Sequence, residues 1–228
     1  MPDTSSRIGI KNRVLSALSR TDFALLKPHL VSADLPVGTY LETGNNRIDN
    51  AYFIESGFAS VVADGAGKRS IEVGIIGREG MTGLAVVLGD ERASHDTYIH
   101  VAGAGHRISA AKLRWAMDRS VRLHRSLLRC AHAFLIQTTQ TALANGRSKN
   151  EARLARWLLM ADDRIDGGEV PLTHKFLGIM LGVQRPAVTV AVQALEEAGL
   201  ISAGRKVITI IDRRGLEKMS NGAYLRPD

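Results

Sequence analysis

Residues 172–190 constrain the fold of this chain more than any other stretch of its sequence. The segment contains two short runs with apolar residues at helical spacing, and Gly182 separates them. A glycine after the last apolar position of a helix can adopt a positive φ and turn the chain sharply. Thr173 can cap the first helix with its hydroxyl oxygen. The pattern predicts two helices that meet at a tight corner, the first with a buried stripe of Phe176, Leu177, Met180 and Leu181.

The first predicted helix also contains a glycine in its middle, Gly178. Glycine at such a position costs about 1 kcal/mol relative to alanine, so we expect a packing reason for it. A missing side chain would let the second helix approach closely.

The second helix is predicted over about 184–197, with Pro186 in the first turn, where a proline removes no intrahelical hydrogen bond. Its inner face is apolar, and its outer face carries Gln184, Arg185, Thr189 and Gln193. Side chains at the start of a helix can reach base edges in the major groove, where arginine favours guanine and glutamine favours adenine. The segment is therefore typical of a helix-turn-helix that reads DNA. The alternative is a solvated amphipathic helix in an ordinary helical hairpin.

The residues after this helix favour DNA reading over the plain hairpin. Ala198-Gly199 ends the helix, and residues 206–212 are apolar and alternate as in a strand. A short hairpin after the second helix would make the unit winged. Arg205 and Lys206 would then lie at the tip of the wing, within reach of a phosphate.

Composition agrees with a nucleic-acid partner. The 228 residues carry a formal net charge of +7, which favours a polyanionic partner. No run of about 18 apolar residues occurs and the N-terminus has no signal-like core, so we expect a cytoplasmic protein that does not contact a membrane. The single cysteine, Cys130, excludes an internal disulfide and an iron–sulfur cluster held by this chain alone.

The N-terminal half changes from helical to β-prone sequence patterns. Two small helices are predicted before Pro28, with Thr21 as the cap of the second. Short β-prone runs with glycine at the corners follow from Val31 to about Ile108, which is typical of an antiparallel barrel or jelly roll. The clearest hairpin turn is Asp64-Gly65-Ala66-Gly67, and the clearest strands are 51–54, 59–63, 70–76 and 97–101.

Helical periodicity begins after Ser109, with a short helix and then a long one from about Arg119 to Ala144. The long helix has more than one apolar stripe, which suits a rod packed on its own domain and on a second subunit. A core helix of a monomer is the alternative. Asn145-Gly146 is predicted to end this helix. Ser148 and Glu151 form the pattern of a capping box that starts another helix, Lys149 to about Arg164.

A glycine-cornered β-roll, a long helix and a C-terminal winged helix-turn-helix together resemble the Crp/Fnr superfamily of bacterial transcription regulators. The most specific portions are Tyr52-Phe53-Ile54-Glu55-Ser56-Gly57 and the block 172–211. The resemblance implies an α+β fold: a jelly-roll or cupin-like sensor domain at 1–118 that resembles cyclic-nucleotide-binding domains, a dimerisation helix at 119–146 and a DNA-binding domain at 147–228.

The same resemblance implies a set of partners. The protein would be a homodimer through the 119–144 helix, with two recognition helices in successive major grooves of a palindromic operator in double-stranded DNA. RNA polymerase would be a further partner if the protein activates transcription.

Individual DNA contacts can be carried over by position. Arg185 matches the arginine that reads a base near the start of the family's recognition helix, and Gln184 matches a polar residue that touches a phosphate or a base edge. Pro186 departs from the glutamate of many relatives, and Val190 stands where another arginine can occur. We therefore expect a different operator sequence, discriminated mainly by Arg185 at about 1–3 kcal/mol.

The effector site departs further from the family. Its cyclic-nucleotide binders use a glutamate for the ribose and an adjacent Arg-Ser or Arg-Thr pair for the phosphate. Here Leu84 follows Gly83 where the glutamate should stand, and Arg92 and Ser94 are not adjacent. A buried phosphate without a paired cation is costly, so cyclic AMP is disfavoured. The candidate pocket is Gly83, Leu84, Arg92 and Ser94, with neither effector nor cofactor identified.

Other sensing chemistries find weaker support. His95, His100 and His106 are close in sequence and could suggest a metal or haem site. His95 and His100 differ by an odd offset, however, so on one strand they would face opposite sides of the sheet. Cys130 on the long helix is more typical of a buried structural cysteine than of a redox switch.

Two further functions compete with a DNA-binding regulator. An enzyme on a cupin-like barrel would need a His-x-His pair with a later carboxylate and histidine, and the sequence has no His-x-His. It also lacks a recognisable nucleophile motif or phosphate-cradling loop, so we expect no enzymatic activity. The remaining alternative is a sensor of cyclic nucleotides or other small ligands that acts through protein contacts.

Overall fold

The computed structural model of the chain describes residues 9–65, 69–172 and 174–225. They form two compact units: the first combines the residues up to Ala59 with Ile76–Phe134, and the second combines Ser60–Ile75 with Leu135–Asp228. The second unit thus includes a hairpin that the sequence places within the β-roll. The domain boundaries predicted at 118 and 146 stay a prediction; the division into compact units falls after Ala59, Ile75 and Phe134.

The first unit opens with α1 (Arg13–Ala17) and α2 (Arg20–Leu26), followed by a 3₁₀ turn at Lys27–His29. Ser19 caps α2, because its side-chain oxygen accepts a hydrogen bond from the backbone N–H of Asp22. The predicted cap, Thr21, is wrong: α2 begins at Arg20, so Thr21 already lies within its first turn.

Seven strands follow within the described part of the chain, and all four predicted runs are confirmed among them. β1, β2 and β3 are Val31–Leu35, Tyr40–Glu42 and Asn50–Ile54, and β4 and β5 are Phe58–Gly65 and Arg69–Ile76. β6 and β7 are Asp96–Val101 and Gly103–Ser109. β7 pairs antiparallel with both β1 and β3, and β2 pairs antiparallel with β6. Of the predicted hairpin turn, Asp64 and Gly65 end β4, while Ala66 and Gly67 lie outside the described residues.

The core of the first unit is an apolar cluster. The short helices α3 (Leu84–Val87) and α4 (Ala110–Arg119) contribute to it beside α1, α2 and β3. Its fully buried members include Leu15, Leu26, Phe53, Met81, Leu113 and Leu123. The cluster holds these elements together through the removal of apolar surface from water.

The long helix α5 spans Val121–Arg147, so it begins two residues later and ends three residues later than predicted. Its start is fixed by Ser120, whose Oγ accepts from the N–H of Leu123 at 3.1 Å and donates to the buried carboxylate of Asp22 at 2.6 Å. The predicted break at Asn145-Gly146 is wrong, because the helix continues through both residues.

The next helix, α6, spans Asn150–Asp162. The predicted capping box is also wrong: the N-cap is Lys149, one residue after Ser148, and it makes no side-chain capping hydrogen bond. The predicted end at about Arg164 is two residues beyond the last helical residue.

The rest of the second unit comprises β8 (Glu169–Pro171), α7 (His174–Leu181), α8 (Arg185–Glu197), β9 (Ile201–Gly204), β10 (Val207–Ile210) and α9 (Arg213–Met219). The three strands form an antiparallel sheet in the order β8-β10-β9. Arg213 ties α9 to the end of α6 through ion pairs with Asp162 and Asp163. The predicted α+β class is therefore confirmed. Within the described residues, none of the helices has the length and apolar character needed to cross a membrane.

Candidate nucleic-acid interface

The corner between α7 and α8 has the geometry that the sequence predicts. Gly182 has a φ of 62°, in the left-handed region that favours glycine. The N–H of Val183 donates to the carbonyl oxygen of Gly178 at 3.0 Å, which closes the end of α7. A Cβ on Gly178 would lie 3.2 Å from the carbonyl oxygen of Val183. The absence of a side chain at Gly178 thus lets the backbone of the corner pack closely against α7.

The second helix of the motif, α8, separates buried from exposed residues as expected. Val188, Ala191, Val192 and Leu195 are buried. Gln184 is the N-cap residue, and Pro186 is the second residue of the helix, where its missing N–H has no intrahelical partner to lose. Gln184, Arg185, Pro186 and Gln193 are exposed on the outer face.

Thr189 and Val190 also lie along the outer side of α8. Thr189 is half-buried, and its hydroxyl donates to the carbonyl oxygen of Arg185 at 3.2 Å. Val190 is 58% exposed on the same outer face. An exposed β-branched apolar side chain offers a surface suited to a thymine methyl group rather than to a phosphate.

The predicted wing is present as β9 and β10. Val207 pairs with Gly204, which leaves Arg205 and Lys206 as a two-residue turn. Both residues are exposed, and Lys206 has a φ of 64°. β8 adds a third strand that the sequence pattern does not predict, because three residues are too few for a clear alternation. Of the other predicted contact residues, Thr173 lies outside the described residues.

Arg153 is a residue of this unit that sequence reasoning missed. Its guanidinium donates to Asn145 Oδ1 at 3.0 Å, to Asn150 Oδ1 at 3.2 Å and to the carbonyl oxygen of Leu181. Leu181 is the last residue of α7, so Arg153 satisfies a carbonyl that the helix end leaves without an intrahelical donor. Burial lowers the pKa of Arg153. A long-range contact of this kind has no local sequence signal.

Gly83, a residue of the predicted effector pocket, has a partner that the sequence pattern did not indicate, Glu42. The backbone N–H of Gly83 donates to Glu42 Oε1 at 2.6 Å, and Thr97 donates its hydroxyl to Glu42 Oε2 at 2.6 Å. Burial raises the pKa of Glu42, although the hydrogen bonds from Thr97 and Gly83 oppose the shift. The backbone N–H of Gly83 therefore already has a carboxylate as its hydrogen-bond acceptor.

The other predicted pocket residues are engaged elsewhere or exposed. Arg92 is exposed, and its guanidinium donates to the carbonyl oxygen of Asn45 at 2.8 Å. Ser94 is exposed and Leu84 is half-buried. An anionic ligand at Gly83 would have to displace the Glu42 carboxylate or lie against it, and like charges at short range repel.

The histidines and the cysteine can be placed as well. His95 is exposed, the ring of His100 lies 5.4 Å from that of Phe58, and His106 Nε2 lies 3.6 Å from Glu55 Oε1. No group of three or more metal-ligating side chains occurs within residues 9–65, 69–172 and 174–225. Burial raises the pKa of the Cys130 thiol to about 11, so the reactive thiolate is scarce at neutral pH.

The surface of α5 carries apolar side chains at heptad-like spacing. Val121, Leu128, Leu135 and Leu143 follow one another at intervals of seven or eight residues and are 64%, 37%, 60% and 54% exposed. Heptad spacing of this kind is typical of a helix that packs along another helix.

Comparisons with known proteins show what the chain is similar to. The family model of the Crp-like helix-turn-helix domain matches residues 152–219, which include most of α6, the corner and the wing. Among solved structures, a Crp/Fnr family protein from Eubacterium rectale is 17% identical with a TM-score of 0.73, over 93% of this chain and 99% of that one. The chain thus has the fold of the Crp/Fnr transcription regulators, with a Crp-like helix-turn-helix domain at its C-terminal end.

Two further solved structures agree. FixK2 from Bradyrhizobium japonicum is 17% identical with a TM-score of 0.72, over 83% of this chain and 96% of that one. A transcriptional regulator of the CRP family from Thermus thermophilus is 15% identical with a TM-score of 0.70, over 86% of this chain and 100% of that one. No curated protein sequence matches the chain.

Proposed function

We propose that this protein is a cytoplasmic, dimeric, sequence-specific DNA-binding transcription regulator that reads double-stranded DNA with α8. The observation that carries the proposal is the corner at Gly182, which presents Gln184 and Arg185 exposed at the first turn of a helix whose opposite face is buried. Arg185 hydrogen-bonds a guanine edge, Gln184 contacts a base edge or phosphate, and Thr189 and Gln193 lie further along the same groove.

The wing supplies the phosphate contacts in this proposal. Arg205 and Lys206 are the exposed turn of the β9–β10 hairpin, and two adjacent cations on a narrow turn suit a phosphate backbone. Pro186 presents no hydrogen-bond donor or acceptor to a base, so the site read by this helix depends on Arg185 more than on its neighbour.

A second copy of the chain is the partner that suits α5. The exposed heptad-spaced residues of α5 would be buried against the same residues of the partner, as a twofold interface requires. A twofold dimer presents two copies of α8, and the operator would then be palindromic. RNA polymerase is a partner in the case of activation. The Glu42 carboxylate at Gly83 supports an effector other than a cyclic nucleotide.

DNA selection followed by a single substitution tests the proposal. Duplexes selected from random DNA by the unmodified protein should share a twofold-symmetric site, and Arg185→Ala should weaken binding to that site by about 1–3 kcal/mol, which is about 5–150-fold. Arg20→Ala is the matched control, because Arg20 is an exposed arginine on α2 and its loss removes the same charge. Equal affinity of the Arg185→Ala variant and the control for the selected site would contradict the proposal.

A further inference from the structure

The β4–β5 hairpin makes a polar contact with α6, the helix that precedes the helix-turn-helix in the chain. Glu72 of β5 is 4% exposed, and its Oε1 accepts a hydrogen bond from the indole N–H of Trp157 in α6 at 2.5 Å. Arg156 on α6 and Arg164 just after it are buried cations that face this carboxylate. A buried acid in contact with an indole N–H fixes both side chains, since leaving either group without its partner is costly.

Trp157 carries this contact on to the first helix of the motif. Its ring lies 5.6 Å from the ring of Phe176 in α7, tilted by 59°. Phe176 is buried, so the indole fills the space between the hairpin acid and α7. Glu72, Trp157 and Phe176 thus form a continuous line of side chains from β5 through α6 to α7.

Two more contacts connect the hairpin to this region. A Cβ placed on Gly182, at the corner itself, would lie 2.9 Å from Cδ1 of Ile71, the residue before Glu72. Gln137 of α5 accepts from the N–H of Ile75 at 2.7 Å and donates to its carbonyl oxygen at 3.1 Å. The hairpin therefore contacts the corner from one side while Gln184 and Arg185 remain exposed.

We propose that the β4–β5 hairpin is a brace for the helix-turn-helix, and that Glu72, Trp157 and Ile71 are positioning residues that set DNA affinity without touching DNA. The proposal rests on the proposed DNA-binding function. Its physical basis is preorganisation: a corner held in one position loses less conformational freedom when α8 enters the groove. Because Ile71 of the hairpin contacts the corner at Gly182, a change that releases the hairpin would also release the corner from which α8 begins.

Substitutions at the two ends of the line test the brace. Glu72→Ala and Trp157→Phe should each weaken binding to the duplex selected by the unmodified protein, by about fivefold or more at pH 6. Ile71→Ala should act in the same direction because it removes the contact with the corner. Glu72→Gln keeps an acceptor for the indole N–H and should bind like the unmodified protein at pH 6. Asp64→Asn is the matched control on the same hairpin, because Asp64 is exposed and its side chain accepts from Ser70 of the neighbouring strand.

A pH series adds a readout that loss of packing alone would not change. Affinity of the unmodified protein should fall between pH 6 and pH 8 as Glu72 ionises in its buried position, and the Glu72→Gln variant should not show this part of the decrease. Equal affinities for all variants at both pH values would overturn the brace, and so would tighter binding by Glu72→Ala, because the hairpin would then inhibit DNA binding.

Hydrogen exchange without DNA separates the brace from the proposed function. Amides of residues 176–184 should exchange at least about fivefold faster in Glu72→Ala than in Asp64→Asn. If no duplex is selected but this difference is present, the DNA-binding proposal fails and the brace stands as a contact that orders the corner. If exchange is unchanged, the brace fails whatever the outcome of the DNA selection.

Discussion

Gly182 shows how one residue can serve both backbone geometry and packing. Its φ of 62° lies in a region where a side chain costs free energy, and the space beside its Cα is occupied by Ile71. The first property is visible in the sequence as a glycine after the last apolar position of a helix. The second depends on a residue more than one hundred positions earlier and has no local signal.

Substitution of Gly182 should therefore be more harmful than that of another helical-region glycine. We expect Gly182→Ala to lower the free energy of unfolding by about 1–3 kcal/mol, from left-handed strain and from contact with Ile71. Gly146→Ala is the control: Gly146 lies within α5, a Cβ there meets no atom within 4 Å, and alanine should raise stability by up to about 1 kcal/mol. Urea unfolding of both variants measures the difference; a smaller loss for Gly182→Ala than for Gly146→Ala would contradict the expected strain.

Glu72 gives the second unit a pH-dependent stability. Burial raises its pKa from 4.5 to about 7, against the opposing effects of its hydrogen bonds and of Arg156 and Arg164. Because the pKa of Glu72 is raised in the folded state, the contribution of Glu72 to the free energy of unfolding is fully present below its unfolded pKa near 4.5. That contribution is lost as the pH rises through about 7.

The Glu72→Gln variant should remove this dependence. Relative to the unmodified protein, its free energy of unfolding should rise by about 3 kcal/mol between pH 5 and pH 8, because a shift of one pKa unit corresponds to about 1.4 kcal/mol. Urea denaturation at four pH values measures it, with Asp64→Asn in parallel. A constant difference between Glu72→Gln and the unmodified protein would show that Glu72 does not titrate in this range.

At the scale of elements, α5 shows how a tertiary contact can extend a helix past its predicted end. Asn145-Gly146 resembles a helix end by propensity, but the helix continues to Arg147. The side chain of Asn145 accepts from Arg153 Nε, so the asparagine serves a contact with α6 rather than a break. Tertiary contacts of this size override a propensity cost of less than about 1 kcal/mol.

The exposed stripe of α5 leads to a prediction about oligomeric state. Leu128→Asp combined with Leu135→Asp should convert the proposed dimer to a monomer, because both charges would be buried without partners in the twofold interface. Leu88→Asp is the control, since Leu88 is 67% exposed and follows α3 rather than lying on α5. Sedimentation velocity distinguishes the two states. The proposed interface is wrong if the double variant sediments like the unmodified protein.

Strand β7 shows why some elements escape sequence analysis. Its sequence Gly-Ala-Gly-His-Arg-Ile-Ser is poor in β-branched and aromatic residues, so its propensity does not indicate a strand. A Cβ at Gly103 would lie 1.9 Å from the carbonyl oxygen of Ser56. Glycine is therefore required there by a neighbouring backbone, which a reading of local composition cannot detect.

At the scale of the whole molecule, the net charge of +7 and the exposed wing cations predict a strong salt dependence of DNA binding. The slope of log affinity against log salt should decrease in magnitude by about 2–4 in Arg205→Ala with Lys206→Ala, because the proposed twofold dimer would lose about four phosphate contacts at about 0.9 each. Fluorescence anisotropy between about 50 and 200 mM salt measures the slope. Arg20→Ala with Lys27→Ala removes the same charge from α2 and its following turn, and should leave the slope nearly unchanged.

The sequence by itself determined the elements whose signals are local: the glycine corner, the two helices around it, the alternating strands and the order of a roll, a long helix and a winged helix-turn-helix. These follow from periodicity, turn chemistry and helix propensity, which act between residues close together in the chain. Tertiary structure alone decided that the β4–β5 hairpin belongs with the C-terminal unit. It also decided that Arg153 donates to the last carbonyl of α7 and that Glu42 accepts from the N–H of Gly83. The two hydrogen bonds among these join residues at least 28 positions apart, and such partners are chosen by burial and hydrogen bonding in the folded chain rather than by local pattern.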